Sequence, residues 1–346
     1  MSQSANEIPN SDAGSSYASE QWGRNTLHFQ PVRFFPNGHL QTISGAYLWR
    51  NVPHRAIDRT VVLPDGDQLV VHDDCPDDWD TRRLVLLVHG LGGAHDSGYM
   101  QRISNKLVNA GIRAVRMDQR GCGAGAAIAE GPFHAGRFAD IATVVECLGS
   151  WHPNSKITVA GFSLGGAMTV KMLAEFGSQI EHWVDSAIVV SPPIDLLRCS
   201  QGLSQGANRF YDKRFVRSLM NHVRKNPRFA SKITEKMPKS LYEFDAMFTA
   251  PLGGFSSVDE YYSFSSSTHD LPKIQIPTIL LAAEDDPIVP AKIYDDAPFT
   301  DVVRVHRVAG GGHLGFLASK SCRTQHDDRD WHWMDWRVVQ WVRQLE

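Results

Sequence analysis

The stretch "ITVAGFSLGGAM" (157–168) places Ser163 between two glycines, each two positions away, directly after an apolar run. In a G-x-S-x-G pattern at a strand-to-helix junction, the serine sits on a sharp turn that turns its hydroxyl toward solvent. Side chains at Gly161 and Gly165 would collide with the neighbouring backbone, which explains the glycines. The apolar run before Ser163 is typical of a strand, and the residues after it are typical of a helix. We therefore predict a nucleophilic serine at position 163.

Strands and helices alternate along the chain on both sides of this turn. Runs of consecutive apolar and β-branched residues are typical of strands covered on both faces; they are "LVLLVHG" (84–90), "IRAVRMD" (112–118), "KITVAG" (156–161), "SAIVVS" (186–191) and "PTILLAAE" (277–284). Amphipathic segments such as "MQRISNKLVNAG" separate several of them. This alternation predicts an α/β protein with a mostly parallel, doubly wound sheet. Ahead of these runs, "RTVVL", "PDGD" and "QLVVHD" predict an antiparallel hairpin.

A chain of 346 residues, 42% of them hydrophobic, can bury the core of one large domain or of two smaller ones. Residues 1–26 are rich in small polar residues and poor in large apolar ones, so we expect a disordered tail over residues 1–30. The remaining residues, 31–346, are predicted to form the domain. Between about 192 and 272 the strand pattern lapses into sequence rich in Ser, Arg, Lys and aromatic residues. That segment is predicted to be an inserted helical cap.

Charge and cysteine content limit the classes of partner. The net charge of −3 gives no electrostatic reason to expect nucleic acid or an anionic membrane. No apolar run approaches the roughly 18 residues of a membrane-spanning helix, and the N-terminus lacks a signal-peptide pattern. The cysteines are odd in number, widely spaced and without metal-ligand spacing; they stand at 75, 122, 147, 199 and 322. We therefore predict a cytoplasmic protein with free thiols, no integral membrane segment and no bound metal.

A serine becomes a good nucleophile only when a base removes its proton and an acid orients that base. For a serine at such a turn, the order along the chain is serine, acid, histidine. "VAGGGHLGF" follows the predicted strand "VVRVHRV" and places His313 on a glycine-rich loop. We predict that His313 is the base.

The acid is less determined, because several carboxylates follow strand ends. "AAEDDPIVP" presents Glu284, Asp285 and Asp286 in succession, and Asp195 follows the preceding strand. Asp286 is favoured because the proline after it fixes the path by which the chain leaves the strand. The other three carboxylates remain alternatives, with Asp285 the next choice.

The negative oxygen that develops during acyl transfer needs two hydrogen-bond donors. The residue after the nucleophile, Leu164, supplies one backbone N–H. The loop "HGLGGAHDS" after the strand at 84–88 is expected to supply the other, and we assign it to Leu91.

Taken together, the motifs resemble those of a known family. They are "FFPNGHLQT", "HGLGG", "VRMDQRGCGAG", "FHAGRFAD", "GFSLGG", "SPPIDL", "AEDDPIVP" and "GGHLGF". From about residue 31 to the C-terminus, the chain resembles the YheT-like (AB hydrolase 4) family of serine esterases, which have the α/β-hydrolase fold. The resemblance implies a carboxylester hydrolase acting on small-molecule or lipid esters, with Ser163, Asp286 and His313 at the triad positions. Thioester hydrolysis or acyl transfer by the same triad is an alternative, as is a non-catalytic binding protein.

Substrate contacts and cofactors are less clearly indicated. His39 in "PNGHLQT" and Tyr99 in "DSGYM" are predicted to line the pocket, with a structural role as an equal alternative for each. In the cap, Phe248 and Phe255 suggest an apolar acyl site, although ordinary packing accounts for them equally well. "RGCGAGAA" has dinucleotide-fingerprint spacing, but "DQR" separates it from its strand, so we predict no cofactor.

Overall fold

The computed structural model describes residues 27–48, 56–79, 83–233 and 236–345. Within these ranges, eight strands form one sheet in the order β1-β2-β4-β3-β5-β6-β7-β8. They are β1 (Ile57–Val62), β2 (Gln68–Asp74), β3 (Arg83–Val88), β4 (Arg113–Asp118), β5 (Lys156–Phe162), β6 (Val184–Val190), β7 (Thr278–Ala283) and β8 (Val303–Val308). The pairings of β2 with β1 and with β4 are antiparallel, and the others are parallel. The predicted α/β fold class and the opening hairpin are confirmed.

The sheet is covered on both faces, as the continuous apolar runs predicted. Every residue of β3, β4 and β7 is buried. Successive side chains of a strand point to opposite faces, and in β5 Val159 belongs to one apolar cluster while Ala160 belongs to another. Two hydrophobic layers therefore sandwich the sheet.

Six α-helices lie outside the segment between β6 and β7 among the described residues; the first comes before β1 in the chain, and the others follow strands of the sheet. They are α1 (Gly38–Tyr47), α2 (Gly98–Val108), α3 (Ala139–Trp151), α4 (Leu164–Ile180), α11 (Lys320–His326) and α12 (Trp333–Arg343). The helix α12 buries Trp333 and Trp341 in the layer that also contains α2 residues. Packing in this layer thus accounts for these two tryptophans.

Among its described residues, the segment 192–272, hereafter the inserted segment, consists of helices joined by loops and contains no strand. Its α-helices are α5 (Leu196–Leu203), α6 (Arg209–Lys225), α7 (Pro227–Ala230), α8 (Leu241–Phe244), α9 (Ala250–Leu252) and α10 (Val258–Ser265), with a π-helical turn over Asp245–Thr249. It has its own apolar cluster, which includes Met220, Phe229 and Phe248. These helices lie along the chain between β6 and β7, two strands that pair directly in the sheet.

The start of the packed chain lies earlier than the sequence indicated. Most of the predicted tail, residues 1–26, lies outside the described residues. Phe29 is only 8% exposed, and its ring centroid lies 5.8 Å from that of Phe316 and 5.2 Å from that of Trp333. The large aromatic side chain at 29 therefore packs the chain just before Pro31 against the domain, ahead of the predicted domain start at residue 31.

Two further findings concern membrane-spanning helices and the cysteines. Among the described residues, no helix is both long and apolar enough to cross a lipid bilayer. All five cysteines are free thiols.

Candidate active site

The turn around Ser163 has the geometry that the glycines predicted. Ser163 has φ 52° and ψ −124°, a backbone conformation that non-glycine residues rarely adopt, between β5 and the first residue of α4. Its N–H donates to the Val190 carbonyl oxygen at 2.8 Å. A Cβ atom at Gly165 would collide with the His89 carbonyl, so the helix can approach the sheet this closely only with glycine there.

Ser163, His313 and Asp286 form one hydrogen-bonded chain. His313 Nε2 lies 2.8 Å from Ser163 Oγ, and His313 Nδ1 lies 2.8 Å from Asp286 Oδ2. Asp286 Oδ1 accepts hydrogen bonds from the backbone N–H groups of Ile288 at 2.8 Å and Val289 at 2.9 Å. With its proton on Nδ1, the imidazole presents the Nε2 lone pair to the serine hydroxyl. This arrangement is able to accept the serine proton.

The three alternative carboxylates have other partners. Glu284 forms a bidentate ion pair with Arg307, at 2.6 and 2.9 Å. Asp285 Oδ1 accepts the Gly312 N–H at 2.9 Å, and burial raises the pKa of this carboxyl. Asp195 caps α5 by accepting the N–H of the third helical residue at 3.0 Å. Asp285 therefore supports the loop that carries His313, whereas Asp286 contacts its imidazole.

The loop of His313 is also held by α1, which sequence reasoning missed. Thr42 Oγ1 accepts the His313 N–H at 2.8 Å and donates to the Gly38 carbonyl at 2.7 Å. Gln41 Oε1 accepts the Leu317 N–H at 2.6 Å. Gly38, Gln41 and Thr42 all belong to the motif "FFPNGHLQT", which gave the only sequence signal for this support.

The two residues assigned as donors to a developing oxyanion flank Ser163. Leu164 is the first residue of α4, where a backbone N–H has no acceptor within the helix. A Cβ atom at Gly90 would lie 2.9 Å from Ser163 Cβ, so the backbone just before Leu91 passes close to the serine. The Gly90 N–H donates to the Tyr99 hydroxyl at 3.0 Å. Tyr99 therefore positions the loop that carries Leu91.

Three cavities surround the serine, and Leu91 lines all of them. A small cavity of about 70 Å³ contains Ser163 and is walled by side chains of the inserted segment, among them Leu196, Cys199 and Phe215. A larger one of about 450 Å³ shares Leu91 and Leu164 with it. A third, of about 240 Å³, contains His313. The largest lies within the 300–1,000 Å³ range of ordinary ligand pockets.

Two predicted pocket residues line a cavity. Phe248 is 2% exposed and lines the largest cavity. Tyr99 lines the cavity of His313, and burial raises the pKa of its hydroxyl to about 12. The Tyr99 hydroxyl therefore stays protonated at neutral pH.

The other two predicted pocket residues lie further out. Phe255 packs behind the wall of the largest cavity, its ring centroid 5.5 Å from His134 and 5.3 Å from Tyr261. His39 is exposed, and its Nδ1 lies 3.0 Å from the hydroxyl of Tyr211, which lines the cavity of His313. Phe255 thus packs against two residues that line the cavity, and its contact with substrate stays a prediction. His39 lies at the rim of the cavity that contains His313.

The largest cavity also contains buried polar groups that sequence reasoning missed. Both ring nitrogens of His134 lack a hydrogen-bond partner among the described residues, and burial lowers its pKa to about 3. Burial raises the pKa of the Asp245 carboxyl to about 6, although Thr249 and Tyr262 donate hydrogen bonds to it at 2.6 and 2.8 Å. Asp245 lies in the π-helical turn, a feature often found at functional sites. The cavity is thus less apolar than its phenylalanines suggest.

The buried Asp245 carboxyl predicts a pH dependence of stability. Its pKa is raised from 3.8 to about 6 in the folded protein. Between these two pH values the folded protein keeps a proton that the unfolded chain has released. The free energy of unfolding therefore falls as pH rises from about 4 to about 6, by up to about 3 kcal/mol from this group. Asp245→Asn should remove this slope. Urea unfolding of both proteins at pH 4, 5, 6 and 7 measures it, and parallel pH profiles would contradict the assignment.

One cluster outside this site has the residue types of a metal site. The ligand atoms of His72, His95 and Asp118 lie within 4.8 Å of one another. Asp118 Oδ2 lies 2.9 Å from His72 Nε2 and 2.7 Å from His95 Nδ1, and Asp58 Oδ1 lies 2.6 Å from His72 Nδ1. Both carboxylates raise the pKa of His72 against the effect of burial. We interpret the cluster as an ion-pair network around the buried His72 and Asp118 that joins β1, β2 and β4.

Comparisons with known proteins agree with the fold. A family model described as the alpha/beta hydrolase fold matches residues 83–319. The putative esterase YheT of Escherichia coli is 26% identical over 325 residues, which are 92% of this chain and 93% of that protein. The monoacylglycerol lipase of Saccharomyces cerevisiae is 29% identical over 260 residues, 70% of this chain and 57% of that protein. The structure of an esterase from Pyrococcus furiosus aligns with a TM-score of 0.55 at 16% identity, over 93% of this chain and 98% of that one.

Proposed function

Because the chain belongs to the α/β-hydrolase fold family, we propose that it hydrolyses carboxylic esters through an acyl-enzyme formed on Ser163. The YheT-like resemblance indicated by the motifs is confirmed by the match over nearly the whole chain. The observation that carries the proposal is the hydrogen-bonded chain from Ser163 through His313 to Asp286. The names of the relatives, an esterase and a monoacylglycerol lipase, point to the same chemistry.

In the first step, His313 Nε2 accepts the proton of Ser163 as its Oγ attacks the ester carbonyl carbon. The carboxylate of Asp286 fixes the imidazole in the required tautomer and stabilises the imidazolium that forms. The carbonyl oxygen becomes negative, and the N–H groups of Leu91 and Leu164 donate to it. Collapse of this intermediate breaks the C–O bond, and the imidazolium gives its proton to the departing alcohol.

In the second step, water attacks the acyl-enzyme, and His313 accepts a proton from it by the same route. The carboxylic acid leaves and Ser163 regains its proton. A thiol ester or an acceptor alcohol would enter the same cycle, so thioester hydrolysis and acyl transfer remain within this chemistry. The intact hydrogen-bonded chain argues against a non-catalytic binding protein.

We also propose that the inserted segment caps the active site. Residues of α5, α6, α8 and α10 wall the cavity that contains Ser163. Phe248 extends the apolar wall of the adjoining large cavity. The acyl chain of the substrate would occupy these cavities, which favours short to medium chains.

Phe248→Ala should shift the chain-length preference more than it changes the rate on an acetyl ester. Each methylene group that loses apolar contact weakens transition-state binding by about 0.8 kcal/mol, or roughly fourfold in kcat/KM. Phe255→Ala is the matched control, because Phe255 packs behind the wall. Hydrolysis of p-nitrophenyl esters from acetate to decanoate measures both variants. If all esters slow equally in Phe248→Ala, the residue only supports the fold.

The same graded esters test the function itself. We expect turnover of at least the short and medium esters by the purified protein and none above background by Ser163→Ala. Thioesters of matched chain length, and esters with an added alcohol, measure the two related reactions. A protein that binds these esters without turning over any of them would be a binding protein.

The five free thiols agree with a reducing compartment, and we propose the cytoplasm as the location of this protein.

A further inference from the structure

The helix α1 exposes large apolar side chains and buries small or polar ones. Leu40, Ile43 and Tyr47 are 39%, 37% and 60% exposed, and their spacing places them on one helical face. The buried residues of α1 are Gly38, Gln41, Thr42, Ser44 and Gly45. The usual arrangement of a surface helix is thus reversed. Exposed apolar surface of this kind is typical of an interaction site.

The exposed face of α1 continues onto α6 at the mouth of a cavity. Phe210, the second residue of α6, is 56% exposed. It lines the cavity of His313 together with Ile43 and Tyr47. The Arg214 guanidinium lies over the Tyr47 ring, 4.9 Å from its centroid, and donates to its hydroxyl. The two helices therefore present one continuous rim around this opening.

The outer face of α6 is strongly basic although the whole chain is acidic. The helix contains six Lys or Arg residues and one Asp, whereas the net charge of the chain is −3. Arg209, Lys213 and Arg217 recur every four residues and are exposed, and Asp212 is buried. The charge of the whole chain therefore conceals a local cationic stripe next to the apolar rim. The expectation from net charge, that an anionic membrane has no electrostatic reason to bind, does not hold for this face.

We propose that this face, formed by Leu40, Ile43, Tyr47 and Phe210 with Arg209, Lys213 and Arg217, docks on an anionic lipid surface. Apolar side chains around a cavity mouth suit insertion among acyl chains, and a cationic stripe beside them suits lipid headgroups. Docking there would open the cavity of His313 directly to the lipid. The proposal rests on the proposed ester hydrolysis for its purpose, but the binding itself does not require turnover.

The test is sedimentation of Ser163→Ala protein with vesicles of phosphatidylcholine, with and without 30% phosphatidylglycerol. We expect binding at least tenfold tighter to the anionic vesicles, lost in 0.5 M NaCl because salt screens exposed charges. Replacing Arg209, Lys213 and Arg217 by Gln should weaken it about 100-fold, since each basic residue near an anionic surface contributes roughly fivefold. Phe210→Ser with Ile43→Ser should weaken it about tenfold or more.

A matched control comes from the edge strand β1, where Ile57 and Val62 are 59% and 62% exposed. Ile57→Ser with Val62→Ser removes as many exposed apolar side chains and should leave vesicle binding unchanged. The proposal would be overturned if the triple Gln variant and the Phe210→Ser, Ile43→Ser variant bound anionic vesicles as tightly as the unsubstituted face does. It would also be overturned if the protein bound neither kind of vesicle. Binding to polyglutamate as tight as to anionic vesicles would reassign the face to acidic polypeptides. A dimer that Phe210→Ser dissociates would reassign it to a second copy of the chain.

Activity distinguishes this proposal from the proposed function. The triple Gln variant, which leaves the cavities intact, should hydrolyse soluble p-nitrophenyl acetate at the wild-type rate. On an ester embedded in anionic vesicles, its rate should fall in proportion to the lost binding. If the protein binds vesicles but hydrolyses no ester, the proposed ester hydrolysis is refuted and the docking face stands. If the triple variant hydrolyses the embedded ester at the full rate, the docking face is refuted and the proposed ester hydrolysis stands.

Discussion

Replacing Ser163 by alanine is expected to lower ester hydrolysis about 10⁶-fold, the loss seen when the nucleophile of a complete serine triad is removed. Without Oγ there is no acyl-enzyme, and His313 has no hydroxyl to deprotonate. Only the hydrogen-bond donors and the binding cavities remain to assist attack by water. Steady-state turnover of a p-nitrophenyl ester of favoured chain length measures the loss.

Ser191 provides the matched control for this variant. It follows β6, has φ 49° and is fully buried, and its Oγ has no hydrogen-bond partner among the described residues. Ser191→Ala therefore removes a second strained, buried strand-end serine and should leave turnover near the wild-type rate. A folded Ser163→Ala protein that keeps turnover within tenfold of wild type would refute the acyl-enzyme.

The second large effect is expected from Asp286→Asn, with a loss of about 10⁴ in kcat. An amide at 286 favours the wrong imidazole tautomer and removes the charge that stabilises the imidazolium. The backbone N–H groups of Ile288 and Val289 can still donate to the amide oxygen, so the protein should fold. Circular dichroism checks the fold, and turnover of the same ester measures the loss.

Asp285→Asn and Glu284→Gln are the controls, one and two residues away. Asp285 accepts the Gly312 N–H and Glu284 pairs with Arg307, so each change should cost about 1 kcal/mol of stability rather than catalysis. Normal turnover by Asp286→Asn with a collapse in Asp285→Asn would move the acid by one residue. Normal turnover by all three variants would return the search to Asp195.

The fold was predictable because its signals are local. Each parallel strand is a short apolar run, and the strand, turn and helix around Ser163 lie within one stretch of sequence. The acid was not determined, since Glu284, Asp285 and Asp286 differ by one step along the backbone. In the structure, the carboxylate that faces His313 is the one that also accepts two backbone N–H groups just after it.

What sequence reasoning missed depends on contacts between distant residues. Thr42 holds the backbone of His313 across 271 positions of the chain. The large residues of α1 point outward and its buried residues are small or polar, so no apolar periodicity marks the face that packs on the domain. Phe255 is aromatic like Phe248, yet only three-dimensional packing distinguishes a wall residue from the one behind it. No periodic pattern in a single sequence encodes such differences.

The central claim is tested most directly by labelling the protein with a fluorophosphonate and mapping the adduct by peptide mass spectrometry. Such a reagent phosphonylates a serine only when a neighbouring base activates it. The expected result is one adduct, on Ser163, with hydrolysis lost in proportion to labelling and no adduct in Ser163→Ala. An adduct on a different serine, or an unlabelled protein that still hydrolyses esters at full rate, would contradict the account.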